Sequence, residues 1–151
     1  MGSVPGFVLI IVIPEQTMVE EIYQRAQIFA RALDANDFEK ARMLLAPDCV
    51  YDTGREILTG PDAIMSSYAN NNEKAHTLFD FVAYESEILE TTGNTALILF
   101  TDKISRQGQN HIHSCNQRLH FAADLKIEKI EHLEIKGENA RLLEYLASCG
   151  K

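Results

Sequence analysis

The order of elements along this 151-residue sequence predicts an α+β fold, with helices covering one face of a curved antiparallel sheet. Two observations carry that expectation. Apolar residues recur at spacings of three and four in the first part of the chain, and from about residue 78 the period switches to two. Four long β-prone segments then follow one another through tight turns, the pattern of a meander.

Thr17 and Glu20 form a capping-box pair, and Ile22, Ala26, Phe29, Ala30 and Leu33 trace one stripe, so a helix is expected over residues 17–34. Asp34-Ala-Asn-Asp37 breaks it. Asp37 can cap a shorter helix carrying Phe38, Ala41, Leu44 and Leu45, which Pro47 terminates, and the two helices form a hairpin. Cys49–Asp52 and Glu56–Thr59 flank Thr53-Gly54-Arg55 as a small β-hairpin. Gly60-Pro61 opens a third helix with Ile64, Met65 and Tyr68 on one side, ended by Asn70-Asn-Asn72. The strands are Leu78–Leu89, Thr95–Ser105, Asn110–Phe121 and Leu125–Ile135, separated by turns at Thr92-Gly93-Asn94, Gln107-Gly108-Gln109 and Ala122-Ala-Asp124. Gly137 precedes a last helix, Glu138–Leu146.

The length suits one domain and argues against a separate cofactor module. With 22 acidic against 14 basic residues the net charge is −8 and no Lys/Arg cluster interrupts it, which disfavours nucleic acid as a partner. Cys49, Cys115 and Cys149 include no CxxC pair, and they read as reduced thiols of a cytoplasmic protein. Residues 1–16 are expected to be an apolar N-terminal arm or a non-native extension, with a single domain over 17–151. The run Phe7–Ile13 is too short to cross a bilayer, so no membrane association is expected. Glycine-rich phosphate loops, GxSxG and HExxH are all missing from the sequence, and no cofactor is expected. The segment Thr95-Ala-Leu-Ile-Leu-Phe100 is apolar on both faces, which predicts a homodimer through the sheet; the alternative is that the N-terminal arm covers the second face.

This order, with Ala32-Leu-Asp-Ala-Asn-Asp-Phe38, Leu44-Leu-Ala-Pro-Asp-Cys-Val-Tyr-Asp52 and Leu58-Thr-Gly-Pro-Asp-Ala-Ile64, resembles the nuclear-transport-factor-like superfamily over roughly residues 17–147. Within it, the SnoaL-like and ketosteroid-isomerase-like group is the most similar. The resemblance implies a cone-shaped curved antiparallel sheet with N-terminal helices packed on its concave face, a cystatin-like α+β roll around an apolar pocket. It also implies a small hydrophobic molecule as ligand and usually a dimer. Family members include isomerases, cyclases, dehydratases, epoxide hydrolases and proteins without activity, so fold alone does not choose the chemistry.

An isomerase of this type needs a carboxylate base in an apolar pocket and donors for the enolate oxygen; ketosteroid isomerase is the worked case for such pKa tuning. The family's base follows the helical hairpin, at the end of the first short strand. Asp52 is the candidate here, although an ungapped match puts Thr53 on that position, and one register step turns a strand residue from pocket to water. Phe29 stands where the isomerase has its Tyr, and Gln117 where it has its protonated Asp; an amide can still donate.

On the third long strand His111, His113, Cys115, Gln117, Leu119 and Phe121 share one face, the one ending apolar and assigned to the core. His113 is thus a candidate general acid or base, or else a buried neutral histidine bonded to its surroundings. His111-Ile-His113 suggests half of a cupin metal site, but no second motif completes it, and no metal is expected. His132 shares its face with Ile130 and either looks into the cavity or lies at an edge. Phe29, Tyr51 and Tyr68 are expected as pocket or core wall, and Cys115 as a small buried hydrophobe. The resulting expectation is an isomerase, cyclase or dehydratase that uses Asp52, His113 and Gln117, with Phe29, Tyr51, Tyr68, Cys115, Ile130 and His132 around the substrate. The alternative is a non-catalytic ligand-binding or dimerisation module.

Overall fold

The computed structural model describes residues 15–149, so the expected N-terminal arm lies outside the described residues. The elements are α1 (Glu15–Asp34), α2 (Phe38–Arg42), β1 (Leu45–Asp52), β2 (Ile57–Thr59), α3 (Pro61–Leu78), β3 (Phe81–Thr92), β4 (Thr95–Arg106), β5 (Gln109–Phe121), β6 (Ile127–Glu134) and α4 (Glu138–Ser148). They build one curved, unclosed six-stranded sheet in the order β2-β1-β6-β5-β4-β3, an α+β cone.

The meander β3–β6 is antiparallel throughout. At the β4–β5 turn, Gln107 and Gly108 both take positive φ, 52° and 78°, as a tight turn matched to strand twist requires. The sheet is not wholly antiparallel, however, because β1 lies parallel to β6, with Tyr51 opposite Ile130. Parallel neighbours need a crossover connection, and α3 together with β3–β5 supplies it. Pairing between β1 and β6 shifts register between Leu45 and Val50, the stretch that contains Pro47, which has no N–H to offer the ladder.

Several element ends differ from expectation: β3 runs over Phe81–Thr92 rather than Leu78–Leu89, β6 over Ile127–Glu134, and α4 extends to Ser148. α1 already begins at Glu15, so Thr17 and Glu20 lie within its first turns. α2 stops at Arg42, because Leu45 and Ala46 are buried as the start of β1. α3 runs through Asn70–Asn72 to Leu78; the Tyr84 hydroxyl donates to Asn72 Oδ1 at 2.8 Å, so that asparagine serves a tertiary contact.

Helices α1 and α3 cover one face of the sheet. Ile22, Ala26, Phe29, Ala30 and Leu33 of α1 and Ile64 and Met65 of α3 meet Ala96, Ile98, Leu119, Phe121, Ile127 and Ile130 of the sheet in one core. Each large side chain so buried contributes roughly 1.5–3 kcal/mol. The strand pleat therefore defines an inner face, including Tyr84, Phe100, Asp102, His113, Cys115, Gln117 and His132, and an outer face with Leu97, Leu99 and Asn116. No described helix is long and apolar enough to cross a membrane.

Candidate functional site

Towards one end of the sheet the inner face outruns the helices and leaves a cavity of about 260 Å³. That is somewhat below the range typical of drug-sized ligands and suits a molecule of about one ring system. Two groups of residues wall it, and strand register separates them.

The first lies where the C-terminal end of α1 meets β3 and β4. Asp34, the last residue of α1, accepts a 2.5 Å hydrogen bond from Ser86 Oγ. Ser86 is the cross-strand partner of Phe100, and two residues along, Tyr84 pairs with Asp102. Asp34, Phe38, Tyr84, Phe100 and Asp102 all reach the cavity. Burial, followed by the Asp34 charge, pushes the Asp102 carboxyl up to about 6. Burial likewise raises Asp34, opposed by the Ser86 hydrogen bond.

The second group joins β1, α3 and β5. Tyr68 donates to Gln117 Oε1 at 2.8 Å, and Gln117 Nε2 donates to the Tyr51 hydroxyl at 3.0 Å. The two phenol rings stack with centroids 5.2 Å apart. An amide has one oxygen and one NH2, so one phenol must donate to it and the other must accept. One hydroxyl proton is therefore not taken up by the amide, and with the amide as placed it belongs to Tyr51, whose other hydrogen-bonding neighbour is the Tyr68 hydroxyl. Burial pushes the Tyr51 phenol up to about 12, which keeps that proton available as a donor at neutral pH.

Between the groups stand His113, Cys115 and His132. His113 is the cross-strand partner of Asp102, and its Nδ1 is buried without a hydrogen-bond partner among the described residues. Burial lowers both histidines, so each is neutral at pH 7. Burial pushes the Cys115 thiol up to about 12, which leaves it without thiolate reactivity at neutral pH. No three His, Cys, Asp or Glu side chains among the described residues are arranged to hold a metal ion.

With the geometry in place, comparison with known proteins gives the relationship. A family model for the SnoaL-like domain matches residues 15–123. The chain belongs to the SnoaL-like domain family. No curated protein matches this SnoaL-like domain in sequence. Among solved structures, TerC co-crystallised with polyporic acid superimposes with a TM-score of 0.64 at 13% identity, covering 85% of this chain and 99% of that one. An LEH-like epoxide hydrolase from M. tuberculosis gives 0.61 at 18%, covering 85% and 94%. The epoxide hydrolase/cyclase-like enzyme SalBIII, of pyran ring formation in salinomycin, gives 0.62 at 11%, covering 79% and 94%. At these identities the likeness establishes the nuclear-transport-factor-like fold.

In this SnoaL-like domain His113, Gln117, Tyr51, Tyr68, Cys115 and His132 meet in the cavity. Three expected residues do not. Asp52 is on the outer face, in an open groove with Val50, His120 and Lys129, because Tyr51 takes the inward position of the pleat. Its Oδ1 accepts from the Gly54 N–H at 2.9 Å, so it shapes the β1–β2 turn. Thr53 closes the same turn through Glu56. Phe29 is fully buried beneath the cavity, edge-on to Tyr68 at 6.4 Å, and Ile130 is fully buried in the core. The residues that sequence reasoning missed include Asp34 and Asp102, with Phe38, Tyr84 and Phe100 beside them. Asp102 did carry a signal: Ala96, Ile98, Phe100, Asp102 and Ile104 share one strand face, and it is the lone charge on that apolar row.

Proposed function

We propose that this SnoaL-like domain performs cofactor-independent acid/base chemistry on a small hydrophobic carbonyl compound, isomerising it or eliminating water from it. The observation that carries the reading is Asp102, a carboxylate held near neutral pKa in a cavity whose opposite wall offers a phenol proton not taken up by Gln117. A base with a pKa near working pH is mostly ionised at pH 7 and still strong enough to take a proton beside a carbonyl. Asp102 removes the C–H proton, and the enolate oxygen is held by the Tyr51 hydroxyl, which the chain from Tyr68 through Gln117 polarises. Gln117 then acts through Tyr51 rather than on the substrate. Neutral His113, directly across from Asp102, relays the proton. Return of the proton at another carbon gives isomerisation; departure of a β-hydroxyl gives dehydration.

The names of the structural neighbours, an epoxide hydrolase and an epoxide hydrolase/cyclase-like enzyme among them, support small-molecule chemistry of this kind. The outer face carries Leu97 and Leu99, both only partly buried, and further along it Ile112, 58% exposed, which supports a homodimer through the sheet. The free thiols of Cys49, Cys115 and Cys149 support a reducing, cytoplasmic setting.

The test is solvent-deuterium exchange into 2-tetralone and cyclohex-3-enone, followed by NMR. Wild-type protein should accelerate exchange with a rate rising through about pH 6. Asp102→Asn should lose about 10²–10³-fold and Tyr51→Phe at least tenfold, with Asp52→Asn unchanged within twofold. Exchange that survives Asp102→Asn would remove the base from this reading.

A further inference from the structure

The two walls of the cavity differ in charge, and the difference specifies a ligand class within the reading just given, on which the inference rests. Asp34 and Asp102 are the anionic groups of the wall where α1 meets β3 and β4. The C-terminal end of the 20-residue α1 adds its negative dipole end beside Leu33 and Asp34. The aromatic rings of Phe38, Tyr84 and Phe100 reach the cavity from that same wall. No Lys or Arg among the described residues lines the cavity. Arg31, one turn before Asp34, is exposed and outside the cavity lining; its charge offsets part of the burial cost of Asp34 and leaves Asp102 without a cation. Two carboxylates withdrawn from water are unfavourable unless a positive charge joins them. A ligand ammonium supplies that charge, and the negative faces of the rings favour it further. The opposite wall has no charge and offers a phenol proton, which fits an acceptor oxygen.

We propose that the cavity is built for a small amine: its ammonium lies against Asp34 and Asp102 among the rings of Phe38, Tyr84 and Phe100, and its oxygen faces Tyr51. Anionic ligands of the same size are rejected. A neutral ligand is tolerated and gains nothing from the acidic wall.

Isothermal titration of the full chain at pH 7 with phenethylamine, 2-phenylethanol and phenylacetate separates these cases, because the three share a phenyl body and differ in charge. Phenethylamine should bind at least tenfold tighter than 2-phenylethanol, with phenylacetate weakest. In the Asp34→Asn/Asp102→Asn double variant the amine should fall to the affinity of the alcohol, while the alcohol stays within twofold. An alcohol that equals or outbinds the amine in wild type overturns the amine proposal alone, and that comparison stands even if the double variant fails to fold. An amine advantage that survives in the folded double variant overturns it too. Absence of binding by all three probes overturns it together with the cavity reading of the preceding section.

Discussion

Asp52 and Asp102 are both strand aspartates, yet the two faces of the sheet give them opposite work. Asp52 is on the outer face, accepts a backbone N–H and shapes a turn. Asp102 is on the inner face, withdrawn from water and beside Asp34, and is pushed up to about 6. The difference teaches that here chemistry is assigned by the parity of the pleat. Withdrawal from water raises the proton affinity of Asp102, which suits it to the proposed role of base.

Three measurements can break or sharpen that contrast. The largest effect is expected from packing. Ile98, fully buried on the inner face, should lose about 3–4 kcal/mol of stability as Ile98→Ala, against about 1 kcal/mol for Leu99→Ala on the outer face. Urea unfolding at protein concentrations low enough to favour the monomer checks both, and equal losses there would mean that the outer face is buried within a single chain. Next comes the cost of the acidic cavity. A folded-state pKa of about 6 for Asp102, against about 3.9 unfolded, means that the folded state binds the proton more tightly. Stability falls as pH rises between about 4 and 6, and above 6 the full penalty applies, on the order of 3 kcal/mol. Asp102→Asn should therefore stabilise the protein by up to that amount at pH 7, and the gain should vanish below about pH 4. Asp52→Asn, which keeps its acceptor oxygen, should stay within about 0.5 kcal/mol at both pH values. Thermal unfolding of both variants at pH 4 and 7 reads this directly. A stabilising Asn at a position needed for turnover would mark a site that trades stability for function.

Much of the fold was legible because it rests on period. The switch from helical to strand spacing located the helices and the meander, and alternation along β5 put His113, Cys115 and Gln117 on one face. What stayed hidden depended on contacts between segments. The parallel union of β1 with β6 cannot be read from either segment, and it decides that Tyr51 faces inward and Asp52 outward. Asp34 read as a helix breaker because its partner, Ser86, is 52 residues away. Gln117 was legible as a cavity residue, but its engagement at both amide ends by Tyr51 and Tyr68 belongs to three elements at once.

The β1–β6 union also orders the assembly of the molecule in time. β3 to β6 join by short turns and can zip up locally, whereas Tyr51 meets Ile130 across a separation of about 80 residues. Closing so long a loop costs more entropy than closing any of the short turns, so it is expected to follow the meander. Until then β6 presents an unpaired edge, an invitation to other chains. In φ-value analysis, inner-face positions of β4 and β5 should score high and Tyr51 low. The wall that carries the Tyr51 phenol is then expected to be the last to be built.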